Sequence, residues 1–268
     1  MSHYDLVVIG GGTGGLVSAP IAAGAGAPVA LIERERTGGD CLWTGCVPSK
    51  SLIGAAGLAH RMRHADTVGP APVDPVIDFS RVMEHVRDAI RALEPHNAPA
   101  RLRGASVELI EAHARFAGPV RIEAGGRQLR WRAAIVATGS RPRPPAIPGL
   151  EEAHALNTDS VWDTRAAETT RWSWAAGRSA ASSGRHSPGR ARVCDRGAGR
   201  SPAAQGRAAR ERTIASRLEA DGVDVRVGCR TIEARTHGDQ SGKLSLADGR
   251  AAESVRFDRI LVAAGRAP

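Results

Sequence analysis

The chain has 268 residues, room for one large domain or two ordinary ones, and its 42% hydrophobic content is that of a globular protein although aromatics make up only 3%. No run of about 18 apolar residues occurs, so no membrane-spanning helix is expected. The formal net charge of +9 points toward nucleic acid, but residues 165–212 hold eleven Arg, no Lys and three acids (Glu168, Asp195, Glu211), which leaves +1 for everything else.

The first stretch, "MSHYDLVVIGGG", lacks a basic region followed by a long apolar run, so it reads as a strand and not as a signal peptide. A reducing, cytoplasmic setting is the expectation. There a close cysteine pair is more often catalytic or metal-binding than structural. The apolar run Leu6 to Ile9 leads into a G-x-G-x-x-G frame on Gly10, Gly12 and Gly15. In such a frame the first glycine allows a tight turn, the second lets backbone approach a pyrophosphate, and the third permits close helix–strand packing. The helix that follows presents free N–H groups to the phosphates. A second strand, "PVALIERE", carries Glu33, 23 residues after Gly10, where an acid suits a pair of ribose hydroxyls. Together these features predict dinucleotide binding. Pro20 conflicts with the expected helix, where it should cost roughly 3 kcal/mol or introduce a kink.

Next comes "GGDCLWTGCVPSK", with Cys41 and Cys46 five positions apart. In one regular helix that spacing is about 7.5 Å of rise, beyond the roughly 7 Å between Cα atoms that a disulfide tolerates. Cys41 is therefore expected to precede the regular helix or to bend into it. Pro48 suits a first helical turn, so the helix should start near Cys46, where the positive end of the dipole lowers a thiol pKa. A redox pair is the preferred reading over a structural pair or a zinc half-site. Zinc needs a second ligand pair, and Cys194 and Cys229 stand apart, expected unpaired. No metal site is predicted.

"SRVMEHVRDAIRALEP" puts Val82, Val86, Ala89 and Leu93 at helical spacing, a core-facing stripe, with His85 a surface or packing residue. Val107 to Arg132 reads as hairpin strands broken by Gly118-Pro119 and Gly125-Gly126. "AAIVATGSRPRPPAIPG" is a strand and turn. Residues 165–212 hold one aliphatic side chain larger than Ala, Val193, too few to offset ordering entropy. They are expected to supply no strand, no glycine motif and no helix. "ASRLEADGVDVRVGC", Ala215 to Cys229, returns to a helix-then-strand pattern, and Asp258 to Ala264 reads as the last strand.

The cysteine stretch resembles the G-G-x-C-x-x-x-x-G-C-x-P-x-K signature of the flavin-dependent pyridine nucleotide–disulfide oxidoreductases, which include dihydrolipoamide dehydrogenase, glutathione reductase and mercuric reductase. The resemblance continues through "ATGSRPRPPAIPG" and ends at "LVAAGRAP", covering roughly residues 4–163 and 213–268. Val47 and "LEPHNAP" look most like the mercuric-reductase-like branch. The implied fold is α/β: a Rossmann-like FAD-binding domain with a parallel sheet and a small antiparallel insert over residues 1–150, then an incomplete NAD(P)-binding domain over 151–268. The resemblance implies that Cys46 faces the flavin ring, that Cys41 is the outer thiol exchanging with substrate, and that Lys50 lies beside the flavin's reactive nitrogen. It implies that Gly10, Gly12 and Gly15 hold the FAD pyrophosphate, that Glu33 holds the adenosine ribose, and that Thr138, Gly139 and Ser140 lie against the FAD.

Relatives of this type continue after "ALNTDSVWD" into a strand and glycine-rich turn for NAD(P)H. Tryptophan has a single codon, so part of the coding sequence of "RWSWAAGRSAASSGRHSP" is fixed. Read from the third base of each codon, with GC-rich wobble bases, it yields Val-Val-Val-Gly-Gly-Gly-Pro-Ile-Gly-Cys-Glu-Leu, a strand and a glycine-rich turn. The stretch is accordingly read as out of frame relative to the ancestral protein, through a gene lesion or a sequencing error. The alternative is a disordered basic insert.

The resemblance also leads one to expect, after "LVAAGRAP", a second FAD-contacting segment and a dimer-interface domain carrying an acid–base pair, none of which is in this chain. Two functions follow. By descent the activity is NAD(P)H-dependent reduction of a small-molecule disulfide or Hg(II) through FAD and the Cys41–Cys46 pair, with homodimers typical of the resembled family. For the polypeptide as written, the expectation is a fragment that at most binds FAD. Nucleic acid and membrane are not expected partners.

Overall fold

The computed structural model describes residues 2–164, 172–175, 192–195, 213, 215–227, 229–238, 241–247 and 252–268. The chain forms two compact units, one of residues 1–48, 86–141 and 268, the other of 49–85 and 142–267.

In the first unit, strands β1 (Ser2–Ile9), β2 (Val29–Glu33), β3 (Val107–Glu111), β4 (Ala114–Gly118), β5 (Arg121–Ala124) and β6 (Arg127–Val136) make one sheet in the order β3-β2-β1-β6-β5-β4. The four strands from β3 to β6 pair in parallel, and β6, β5 and β4 pair antiparallel. A parallel strand buried on both faces needs apolar residues at successive positions, and β1 and β2 have them. Val7, Ala30 and Ile32 pack on one face with Ile110, Ile122 and Leu129. Val8, Val29 and Leu31 pack on the other with Ala19, Leu102 and Val107. The first strand of the predicted hairpin region departs from expectation. β3 joins the parallel edge beside β2 because Val107 and Ile110 are buried there, and only β4 and β5 form the antiparallel insert.

Helix α1 (Thr13–Gly24) runs through Pro20 without interruption. Short helix α2 (Gly39–Trp43) precedes α3 (Cys46–Arg63), and α4 (Phe79–Leu93) and α5 (Pro99–Gly104) follow. The buried face of α4 centres on Met83 and Val86, and Leu93, predicted to face the core, is exposed at the helix end.

After β6, a two-residue strand β7 (Arg141–Pro142) leads into the second unit. That unit contains β8 (Trp172–Ala175), β9 (Arg192–Asp195), β10 (Asp224–Val227), β11 (Arg230–Thr236), β12 (Gly242–Ala247), β13 (Ala252–Phe257), β14 (Arg259–Val262) and β15 (Arg266–Ala267). β11, β12 and β13 form an antiparallel sheet over a core of Leu244, Leu246, Val255 and Phe257. β10-β9-β8-β14 form an all-parallel sheet, the same third–second–first–fourth order as β3-β2-β1-β6. Two strands therefore lie in residues 165–212, where composition predicts none. Strand pairing uses backbone groups that every residue except Pro supplies, and β8 pairs along β14, whose Ile260, Leu261 and Val262 are buried. The remainder of 165–212 lies outside the described residues. The helix and strand predicted over 215–229 are present, as helical residues 215–220 and β10. Cys229 corrects a prediction: it is buried and disulfide-bonded, which its isolated position in the sequence does not reveal.

Candidate functional site

The glycine frame sits at the C-terminal edge of β1. Gly10 has φ +111°, and a Cβ there would stand 2.2 Å from the Ala137 carbonyl oxygen. A Cβ on Gly15 would stand 1.9 Å from the Gly10 carbonyl oxygen, so α1 crosses β1 at a distance only glycine allows. Gly12 is the N-cap of α1 and meets nothing closer than 3.7 Å from an added Cβ. No side chain caps α1 and no acid lies in its first turn. Its first N–H groups thus have no intrahelical partner, at the positive end of the dipole. Beside them Glu33 accepts hydrogen bonds from the Gly11 N–H at 2.6 Å and the Glu35 N–H at 2.8 Å. An ionised carboxylate has about four acceptor positions, so capacity remains for hydroxyl donors.

Thr138, Gly139 and Ser140 join this edge through the end of β6. The Ala137 N–H donates to the Ile9 carbonyl at 2.8 Å. Gly139 has φ +70° and open space around it, and Thr138 is exposed. Arg141 pairs with Glu35, which ties the turn to the end of β2.

The cysteine stretch forms as the spacing predicts. Cys41 lies in α2 and is half-buried, while Cys46 opens α3 and is exposed. Both are present as thiols. Between them the chain folds back: the Thr44 N–H donates to the Asp40 carbonyl at 3.0 Å, and a Cβ on Gly45 would lie 2.8 Å from that same oxygen. Pro48, third residue of α3, is buried. The cysteine turn meets the glycine loop directly. The Gly38 N–H donates to the Gly11 carbonyl at 2.9 Å, and a Cβ on Gly39 would lie 2.6 Å from Gly12 Cα.

The first unit thus brings together Gly10, Gly12, Gly15, Glu33, Cys41, Cys46, Thr138, Gly139 and Ser140. Lys50 is exposed, one helical turn beyond Cys46 in α3, and belongs to the second unit. Sequence reasoning missed two pairs at this edge, Glu35 with Arg141 and Arg36 with Trp43. The alternating charges of "IERERT" are the only sequence hint of them. At the opposite end of β1, the Tyr4 hydroxyl donates to Glu108 at 2.6 Å and Arg127 donates to the same carboxylate at 2.7 Å. The Tyr4 bond first, and Arg127 after it, hold Glu108 below the usual carboxylate range. Burial first, then Glu108, pushes Tyr4 up.

The family model described as pyridine nucleotide-disulphide oxidoreductase matches residues 4–172. This chain belongs to that family. Among curated relatives, it is 40% identical over 154 residues to dihydrolipoyl dehydrogenase 2 of Haloarcula marismortui, covering 55% of this chain and 32% of that protein. It is 32% identical over 282 residues to dihydrolipoyl dehydrogenase 3 of Pseudomonas aeruginosa, covering all of this chain and 59% of that one. A mercuric reductase of Bacillus cereus is 30% identical over 162 residues, 60% of this chain and 26% of the relative. The chain thus spans about a third to three-fifths of the length of the two dehydrogenases and about a quarter of the mercuric reductase. The parallel sheet with its uncapped helix and Glu33 is the Rossmann-like half that this family's name implies, and among the described residues no helix is long and apolar enough to cross a membrane.

Proposed function

We propose that residues 1–150 bind FAD and carry a dithiol–disulfide pair, Cys41 and Cys46, that passes two electrons from NAD(P)H to a small-molecule disulfide. The observation that supports this most directly is the contact of Gly39 with Gly12, which puts the cysteine turn against the glycine loop. The residues fit FAD: the uncapped helix start would hold its pyrophosphate, Glu33 keeps acceptor capacity that would serve its ribose, and Gly12 leaves the approach clear. When bound, FAD would supply two-electron transfer between the nicotinamide and the cysteine pair.

The protein's own groups supply the rest. Cys41, in α2 just before α3, attacks the substrate disulfide as a thiolate and releases one thiol. Cys46 then attacks Cys41, forms the internal disulfide and releases the second thiol. Thr138, Gly139 and Ser140 would help hold the flavin, and the family resemblance assigns Lys50 the role of stabilising negative charge on it. Residues 151–268 correspond to an incomplete NAD(P)-binding domain, and the setting is a reducing cytoplasm.

Hg(II) is a second substrate reading, favoured by the Bacillus cereus relative and by the softness of a thiolate pair as a ligand set. An inert fragment that at most binds FAD is the competing reading, favoured by the Arg-rich composition of residues 165–212. Flavin content after purification and reconstitution, followed by NAD(P)H oxidation with lipoamide, oxidised glutathione or Hg(II), separates them. Bound flavin with turnover supports the reductase, and the accepted substrate selects between disulfide and metal. Bound flavin without turnover supports the inert fragment.

A further inference from the structure

The redox pair depends on where α2 stands, and α2 is only five residues long. A helix that short does not hold itself. Its last residue, Trp43, supplies the anchor. The indole N–H donates to the Thr37 carbonyl at 2.9 Å, and the Arg36 guanidinium carbon lies 3.7 Å from the ring centroid. Both contacts fall on the strap of residues 36–38. That strap is fixed in turn: the Thr37 hydroxyl donates to the Asn97 carbonyl at 2.5 Å, and the Gly38 N–H donates to the Gly11 carbonyl at 2.9 Å. A Cβ on Gly38 would lie 2.9 Å from Trp43 Nε1 and 2.7 Å from Leu42 Cδ2, so the indole and Leu42 close directly over the strap.

We propose that Trp43 is the positioning residue of the cysteine pair: clamped by Arg36 and Thr37, it holds the Cys41-bearing turn so that Cys41 meets Cys46, and thereby sets their dithiol–disulfide equilibrium. The inference rests on the reading of Cys41 and Cys46 as a redox pair. Two thiols and a small disulfide, RSSR, give the Cys41–Cys46 bond and two RSH, with both protons passing to the released thiols. A disulfide demands narrow Cα and Cβ separations. A turn held in place meets them with little ordering left to do, whereas a loose turn must be ordered when the bond forms. Loss of the clamp therefore favours the dithiol.

The test equilibrates the full chain in glutathione buffers of graded ratio, then alkylates it and quantifies bridged Cys41–Cys46 peptide. Trp43→Phe keeps a ring for Arg36 and removes the N–H donor, and Arg36→Gln removes the cation. One hydrogen bond of about 1 kcal/mol corresponds to roughly fivefold in the equilibrium constant, or about 20 mV for a two-electron couple. Each variant is expected to need about a fivefold more oxidising buffer for half-bridging. Tyr4→Phe, which loses a hydrogen bond at the other end of the sheet, is expected to change melting temperature and not the bridging midpoint. Bridging midpoints unchanged in Trp43→Phe and Arg36→Gln, or shifted equally in Tyr4→Phe, overturn the role of Trp43 and leave the redox pair standing. Failure of the unmodified chain to bridge at any ratio overturns both.

Discussion

Substituting Gly15 by alanine separates two effects that act in opposite directions on α1. Inside a helix, alanine is favoured over glycine by about 1 kcal/mol. At Gly15 the added Cβ falls 1.9 Å from the Gly10 carbonyl oxygen, where ordinary contact begins near 3.4 Å. The obstacle is backbone, so the helix start must retreat from β1 by about 1.5 Å. Overpacking of this kind costs typically 1–3 kcal/mol, and the retreat also moves the N–H groups that face the pyrophosphate. The expected net result is a loss of up to about 2 kcal/mol in urea unfolding and a fall in FAD affinity of at least about tenfold. Gly24→Ala, on the same helix with nothing within 4 Å of its Cβ, is the control. It should be neutral or stabilising by up to about 1 kcal/mol, with flavin binding unchanged. Equal stability and equal flavin affinity for the two variants would refute the close-crossing argument.

Glu33→Gln puts an amide where two backbone N–H groups now donate, and should cost about 1–3 kcal/mol in stability and weaken flavin binding, read by denaturant unfolding and flavin titration. Tyr4→Phe should lose about 1 kcal/mol at neutral pH. Because Glu108 is held below its ordinary value of about 4.3, that contribution is fully present above this pH and fades as pH falls through the lowered value, so a stability gap independent of pH contradicts the assignment. Differential alkylation should label Cys41 and Cys46 only after mild reduction of air-oxidised protein, and labelling before reduction counts against the pair. Resequencing across codons 165–212 should reveal an unused frame encoding a glycine-rich strand and helix. If it does, NAD(P)H-dependent turnover of the chain as written should be about a hundredfold or more below the frame-restored protein, since nicotinamide positioning is worth orders of magnitude.

The glycine frame, Glu33 and the cysteine turn were legible in the sequence because each is local: a strand, a tight turn and a helix start leave their marks within a dozen residues. The break between α2 and α3 followed from helix rise, once Cys41 and Cys46 are required to bridge, and from Pro48 in a first turn. What was not legible depended on distant pairing. β3 looks like a hairpin strand by alternation, and only the position of β2 makes it a parallel edge. β8 and β9 lie in a stretch with too few aliphatic side chains to be read as strands, yet Ile260 to Val262 in β14 provide a ladder for β8 to pair with. The ion pair between Glu35 and Arg141 joins residues far apart in the chain, so spacing says nothing about it, and Cys229 stands too isolated in the sequence to be read as disulfide-bonded.

The most direct test of the central claim is an anaerobic reductive titration of the flavin-loaded protein beside Cys46→Ser. A flavin coupled to a cysteine pair takes up two more electrons per bound flavin than a flavin alone. The account predicts that the unmodified chain consumes those two additional electrons and that Cys46→Ser does not. The same electron uptake in both proteins, or no flavin bound to either, would contradict it.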